Sequence, residues 1–192
     1  MLTATTVESS PSKDLRAALL FALAILLLAV PPLAAEDVLA DDIPVAKTPP
    51  GYWKTMPDPV LERCTEPLVH GAIDMRGVWK VAEVLQGRPT GLLLNSVQRI
   101  EQCGNRVVIS AGGVTHDMRC DGTLENGVND VAAPGSDERP IRVAASFEDG
   151  VHVLRPEGVS FTVERERSGD FLIWRYGPLL VLKLERVERG EP

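Results

Sequence analysis

Residues 141–185 read IRVAASFEDGVHVLRPEGVSFTVERERSGDFLIWRYGPLLVLKLE, and this stretch decides the fold. Apolar and polar residues alternate in short runs, and a turn that contains glycine separates each run from the next. Alternation is typical of strands with one buried face, because successive side chains of a strand point to opposite sides of the sheet. The stretch therefore predicts consecutive antiparallel strands joined by short turns.

The predicted turns fix which side chains share a face. They lie at 148–150, 156–158, 168–169 and 177–179. The predicted neighbours are Phe147 and Val151, Val153 and Phe161, Val163 and Trp174, and Trp174 and Leu182. One face is then apolar and holds Ile141, Val143, Ala145, Phe147, Val151, Val153, Val159, Phe161, Val163, Leu172, Trp174, Tyr176, Leu180, Leu182 and Leu184. The other face is polar and holds Arg142, Ser146, Ser160, Thr162, Glu164, Glu166, Lys183 and Glu185, and His152 is predicted to point outward as well.

The preceding residues continue the same pattern with a more polar inner face. Two-residue turns at 104–105 and 112–113 place Ile100 opposite Ile109, Ile109 opposite His116, and Val107 opposite Met118. A sheet with one apolar face and no helices to cover it must close on itself. The sequence therefore predicts an all-β fold, an antiparallel up-and-down meander barrel of about eight to ten strands.

The first predicted strand carries a motif, Gly77-Val78-Trp79, within the stretch Met75–Val81. This start, which follows a short capping segment and precedes a meander barrel, resembles the calycin group, whose members are the lipocalins and the fatty-acid-binding proteins. The resemblance covers residues 75–187. It implies that Trp79 packs across the closed end of the barrel against Arg186, and that the interior binds a small lipophilic molecule.

The N-terminal residues indicate export. Lys13 and Arg16 precede a block, Ala17–Ala35, in which only Pro31 and Pro32 are not apolar. Residues 1–35 are predicted to be a secretory signal peptide cleaved after Ala35 or after Ala40. An uncleaved N-terminal anchor is the alternative, and the long segment before the block favours it. Residues 36–60 are predicted to be a flexible proline-rich tether, and residues 61–192 the barrel domain, whose residues 61–75 form a short helix or a capping segment.

Charge and motifs exclude several classes of function. The 192-residue chain has a net charge of −7, which argues against nucleic-acid binding, because such proteins need a basic surface. It has no Gly-x-Ser-x-Gly, no His-Glu-x-x-His, no Cys-x-x-Cys and no convincing pair of catalytic carboxylates. We therefore expect no enzyme, no metal site and no cofactor.

The candidate ligand-binding residues are those that the register turns inward, together with the tryptophan of the first strand. They are Trp79, His116, Met118, Phe147, Phe161, Trp174 and Tyr176. His116 either hydrogen-bonds a ligand head group or ligates a haem iron, or it is a core or rim histidine satisfied by Gln98 or by the backbone. The four C-terminal aromatic residues either line a pocket or fill a packed core.

Three cysteines in an exported chain predict one disulfide and one free thiol. We expect Cys103–Cys120 at one rim of the barrel, although the register puts these residues on opposite faces. A bridge from Cys64 to either of them is the alternative.

These observations lead to two main hypotheses; a third, an enzyme that uses the mouth of the barrel, has no residues in the sequence that identify it. The first is an exported, non-enzymatic barrel, periplasmic or secreted, that binds a small apolar or amphipathic ligand. The second is a structural or assembly subunit of the cell envelope with a fully packed barrel and a protein partner. In either case the membrane is contacted only through residues 17–35, if they stay uncleaved.

Overall fold

The computed structural model describes residues 37–131 and 141–187, so the predicted signal or anchor lies outside the described residues. Ten strands form one antiparallel sheet in the order β4-β3-β2-β1-β10-β9-β8-β7-β6-β5. Their bounds are β1 Gly77–Gln86, β2 Val97–Cys103, β3 Arg106–Ala111, β4 Val114–Arg119, β5 Val128–Val131, β6 Ile141–Glu148, β7 Val151–Pro156, β8 Val163–Ser168, β9 Phe171–Tyr176 and β10 Leu180–Arg186. Each strand pairs with its neighbour in sequence except across β4 and β5, and the first strand pairs with the last.

The sheet closes almost completely into a barrel, as the sequence predicted. Its two edges, β4 and β5, are bridged by the connection between them. The Arg119 amide donates to the Asn126 carbonyl at 2.8 Å, and the Gly122 amide donates to the Ala145 carbonyl of β6 at 2.8 Å. Helix is confined in the described residues to α1, Gly91–Leu94, and a 3-10 turn, Ala40–Asp42. None of the described helices is long and apolar enough to cross a membrane.

Three hairpins have the predicted register. Ile100 pairs with Ile109, Ile109 with His116, and Trp174 with Leu182. Each is set by a short turn that contains glycine. The prediction for β2–β3–β4 and for β9–β10 is therefore confirmed.

The β6–β7 hairpin is shifted by one residue from the predicted register. Asp149 and Gly150 both have positive φ, 49° and 80°, and form a two-residue turn in which Phe147 pairs with His152. The prediction of a three-residue turn was wrong because Asp149 tolerates this left-handed conformation. Since a one-residue shift exchanges the two faces of a strand, His152 lies inside the barrel and not outside.

The register of β8 differs as well. Residues 157–162 leave the sheet, so Phe161 lies on a connection and Leu154 pairs with Val163. Gly169-Asp170, rather than Ser168-Gly169, forms the next turn, and Val163 pairs with Tyr176. This second difference is a shift of two residues along the partner strand, so the predicted inner side chains of β9 remain inside.

The interior holds one apolar core that runs through the barrel. Its buried members are Met75, Trp79, Ile100, Val107, Ile109, Met118, Val128, Val143, Ala145, Leu172, Leu182 and Leu184. Most of them come from the predicted inner face, which the pairing of inward side chains on adjacent strands brings together. Burial of these side chains is the main source of the stability of the barrel.

A second buried cluster lies on the outer face of β2 and β3, under the residues that precede the barrel. Ala40 and Leu61 pack there against Cys103 and Val108. The Leu61 amide donates to the Glu101 carboxylate at 2.7 Å. Residues 61–75 form no helix and cap the sheet instead. The domain boundary at residue 60 stays a prediction. Residues on both sides of it, Ala40 and Leu61, pack against the sheet.

Arg106 anchors the same segment to the barrel. Its guanidinium is only 1% exposed and donates to both carboxylate oxygens of Asp117, at 2.8 and 2.6 Å. It also donates to the carbonyl oxygens of Ala40, Ile43 and Pro44. All three of its nitrogens have acceptors, as a buried cation requires.

The disulfide joins Cys64 to Cys103, whose Cα atoms are 6.2 Å apart. The expected Cys103–Cys120 bridge is therefore wrong. Cys103 lies on the outer face beside the capping segment, whereas Cys120 packs against the interior core as a free thiol. Burial, and next the charge of Asp121, raise the pKa of the Cys120 thiol to about 12.

Candidate functional site

One end of the barrel is closed by Trp79, which is fully buried. Its indole Nε1 donates to the Met75 carbonyl at 2.8 Å, and the guanidinium groups of Arg186 and Arg167 each lie 5.2 Å from its ring. Cations over an indole face are attracted by its electrons. A side chain at Gly77 would meet Arg186, since a Cβ there would lie 3.1 Å from the arginine Nε. The arrangement of Trp79 and Arg186 that the resemblance implied is therefore present.

The opposite half of the barrel contains a cavity of about 170 Å³. Strands β3 to β9 and the connection between β7 and β8 line it. Its walls are Ile109, His116, Met118, Val128, Val143, Leu154, Pro156, Val159, Phe161, Val163, Arg165, Trp174 and Tyr176. Aliphatic and aromatic carbon predominates, as in the binding pockets of small molecules.

Five of the seven predicted ligand-binding residues line this cavity: His116, Met118, Phe161, Trp174 and Tyr176. Trp79 belongs to the closed end instead. Phe147 lies outside the cavity wall and packs against His152, with ring centroids 5.4 Å apart. The binding role of all seven stays a prediction.

The cavity meets solvent at the end of the barrel that carries the 157–162 and 177–179 connections, which we call the open end. Val159 and Tyr176, each 40% exposed, lie there. Phe161 packs on Tyr176 with ring centroids 5.2 Å apart. A small ligand thus has a route to the cavity that passes between aromatic and aliphatic side chains.

The wall also contains Arg165, which is not among the binding residues predicted from the sequence. It lies at the centre of β8, between His152 on β7 and Trp174 on β9. Its guanidinium is 5.2 Å from the Trp174 ring. A signal for it exists in the sequence, because Glu164 and Glu166 are predicted to face outward and alternation then turns Arg165 inward.

Burial determines the charge of both residues in this pair. Desolvation, and next the positive charge of Arg165, lower the pKa of His152 to about 3, so this imidazole is neutral at neutral pH. Desolvation lowers the pKa of Arg165 to about 10, so the guanidinium keeps its proton. At this level of the barrel the positive charge of Arg165 therefore lies beside a neutral histidine.

Comparison with known proteins adds no function to this geometry: no protein-family model matches the chain, and the comparison with curated proteins finds no match.

Proposed function

We propose that this chain is an exported, non-enzymatic barrel of the calycin type that binds a small apolar or amphipathic molecule. The observation that carries the proposal is the apolar cavity of about 170 Å³ that opens beside Val159 and Tyr176. A cavity of roughly 150 Å³ lined by aliphatic and aromatic side chains is large enough for benzene. The ligand is therefore about the size of one ring or of a short branched chain.

The stacking of Trp79 and Arg186 supports membership of the calycin group, since it reproduces the closed end that the Gly-x-Trp motif implied. The disulfide between Cys64 and Cys103 supports export, because such bonds persist in oxidising compartments. Ala40 is buried, and its carbonyl accepts from Arg106. Cleavage after Ala35 keeps this contact, whereas cleavage after Ala40 removes Ala40 and the contact with it. Intact-mass measurement of protein from its own host distinguishes the two positions and an uncleaved anchor.

Binding is tested with toluene as the probe, by titration calorimetry on the full-length chain. Val163→Phe places a ring in the cavity wall and should weaken toluene binding at least tenfold. Val97→Phe is the matched control, since Val97 is 38% exposed and lies outside the cavity wall, and it should bind as the wild type does. Native mass spectrometry of the wild type would reveal a retained ligand. Absence of toluene binding, together with bare protein in the mass spectrum, would refute the proposal.

An envelope assembly subunit is the second candidate function, and the open end supports it. Val84, Leu85, Leu94, Val97 and Leu179 are 38–60% exposed there. Exposed apolar side chains that lie close together mark protein interaction sites. Photo-crosslinking groups at Leu85 and Leu179, with Glu185 as the control position, test it in intact cells. A single envelope protein linked through both apolar positions, and not through Glu185, would favour this function.

A further inference from the structure

The inward side chain of Arg165 has an inward side chain beside it on each of the two neighbouring strands. It is 5% exposed, and a row of paired inward side chains crosses five strands at its level: Phe147, His152, Arg165, Trp174 and Leu182. The next inward pair toward the open end is Val163 with Tyr176. These two side chains and those of Arg165 and Trp174 all line the cavity. The guanidinium therefore borders the cavity from the side of the closed end.

Two of the three nitrogens of this group lack an acceptor among the residues that the structure describes. Nε and Nη1 of Arg165 are buried and have no hydrogen-bond partner, and none of the described carboxylates pairs with the guanidinium. Glu164 and Glu166, its neighbours in sequence, lie on the outer face, where Thr162 donates to one and Arg175 pairs with the other. Within the described part of the chain, both ring nitrogens of His152 and the indole Nε1 of Trp174 also lack hydrogen-bond partners.

The second buried arginine of the fold shows what a structural guanidinium looks like here. Arg106, 1% exposed, has Asp117 and three carbonyl oxygens as acceptors. A buried cation without an anion is strongly unfavourable, because it loses its hydration without replacement. Such an uncompensated group beside a cavity points to a ligand that supplies the missing charge.

We propose that Arg165 binds the carboxylate of a compact, one-ring ligand whose apolar body fills the cavity. This inference rests on the proposed function and names the ligand class of the same site. A carboxylate matches the planar fork of a guanidinium and balances its single charge. Trp174 Nε1 offers a further donor at the same level of the barrel. The volume of about 170 Å³ selects a ligand with one ring over a long acyl chain.

The proposal is tested by calorimetric titration of the full-length chain with phenylacetate, phenylacetamide and toluene at neutral pH. Wild-type protein should bind phenylacetate at least tenfold more tightly than phenylacetamide, since only the acid carries the charge. Arg165→Gln should weaken phenylacetate binding by about 10- to 100-fold, and this loss should exceed any change in toluene affinity, because toluene has no carboxylate for the guanidinium to bind. Arg165→Lys should restore part of the loss. Arg175→Gln, on the outer face of the next strand, is the matched control and should behave as the wild type does.

The outcomes separate the two proposals. If toluene binds but the wild type does not prefer phenylacetate to its amide, or Arg165→Gln leaves phenylacetate affinity intact, the carboxylate assignment is wrong and the ligand-binding function stands. If none of the three probes binds, both proposals fail. Should the Arg165 variants fail to fold, as judged by their circular dichroism, the comparison of acid and amide on the wild type decides alone.

Discussion

His152 makes the stability of the barrel depend on pH in a range where few other groups act. The pKa of its imidazole is about 3 in the folded chain, because it is completely buried beside the Arg165 charge, against an ordinary value of about 6.5. Between these values the unfolded chain binds a proton that the folded chain does not. The free energy of unfolding therefore falls as the pH falls below about 6.5, by up to about 1.4 kcal/mol per pH unit.

Integrated from pH 7.5 to pH 5.0, this one-proton difference amounts to about 2 kcal/mol. Glu148 does not interfere, since hydrogen bonds from Arg155 and then Ser146 lower its pKa from 4.5 to about 2, and its contribution is lost only below pH 4.5. Replacement of His152 by Leu should remove this contribution of about 2 kcal/mol to the change in unfolding free energy between pH 7.5 and pH 5.0. His70→Gln, at an exposed histidine, is the control and should leave the His152 contribution in place.

The assay is urea unfolding followed by circular dichroism at pH 5.0, 6.0, 7.0 and 7.5 for the wild type and the two variants. The quantity compared is the difference in unfolding free energy between each variant and the wild type as a function of pH. For His152→Leu this difference should change by about 2 kcal/mol across the range, with the variant gaining relative stability toward pH 5.0. A constant difference would refute the reasoning, because it would mean that His152 titrates alike in both states.

Three further results follow from the contacts outside the cavity. Replacement of Cys64 and Cys103 by Ser should lower the free energy of unfolding by about 4 kcal/mol, because the bridge spans a sequence separation of 39, and urea titration of the oxidised wild type and the double variant measures the loss. Cys120 should react with a thiol reagent only after unfolding, since burial raises the pKa of its thiol to about 12; rapid reaction of the native chain would contradict this. Asp117→Asn should lower the free energy of unfolding by about 3–5 kcal/mol, because Arg106 is left buried without its anion. The double variant Arg106→Met, Asp117→Leu should lose less, since neither charge remains. A larger loss for the double variant in urea titrations would contradict this account of the ion pair.

The sequence predicted the fold because most turns leave little freedom in the pairing. Gly104-Asn105 and Gly112-Gly113 fix β2, β3 and β4 in one register, and the structure has it. The sequence did not determine the turn at Asp149, because residues 148–150 are compatible with both a two-residue and a three-residue turn. A residue that tolerates positive φ at moderate cost decides between them, and the choice moves His152 from one face of the sheet to the other.

The disulfide shows a different limit of the sequence. The register alone placed Cys103 and Cys120 on opposite faces, which opposes a bridge between them. The partner of Cys103 comes from a segment without periodicity, so only the packing of Leu61 and Cys64 against the outer face identifies it. Contacts between a loop and a sheet lack the period of two that makes strand pairing predictable from sequence.

The composition of β8 concealed the most distinctive group in the interior. Its residues 164–167 read ERER, which resembles a solvated strand, yet pairing with β7 and β9 turns Arg165 and Arg167 inward. Arg167 has a structural role at the closed end, where it lies over Trp79 and donates to the Gly169 carbonyl at 2.8 Å. For Arg165, the structure records a contact with the Trp174 ring and, within the described residues, no ion pair. Because an apolar side chain at position 165 would spare the barrel an uncompensated charge, the guanidinium at the wall of the cavity supports the binding role proposed above rather than a role in stability.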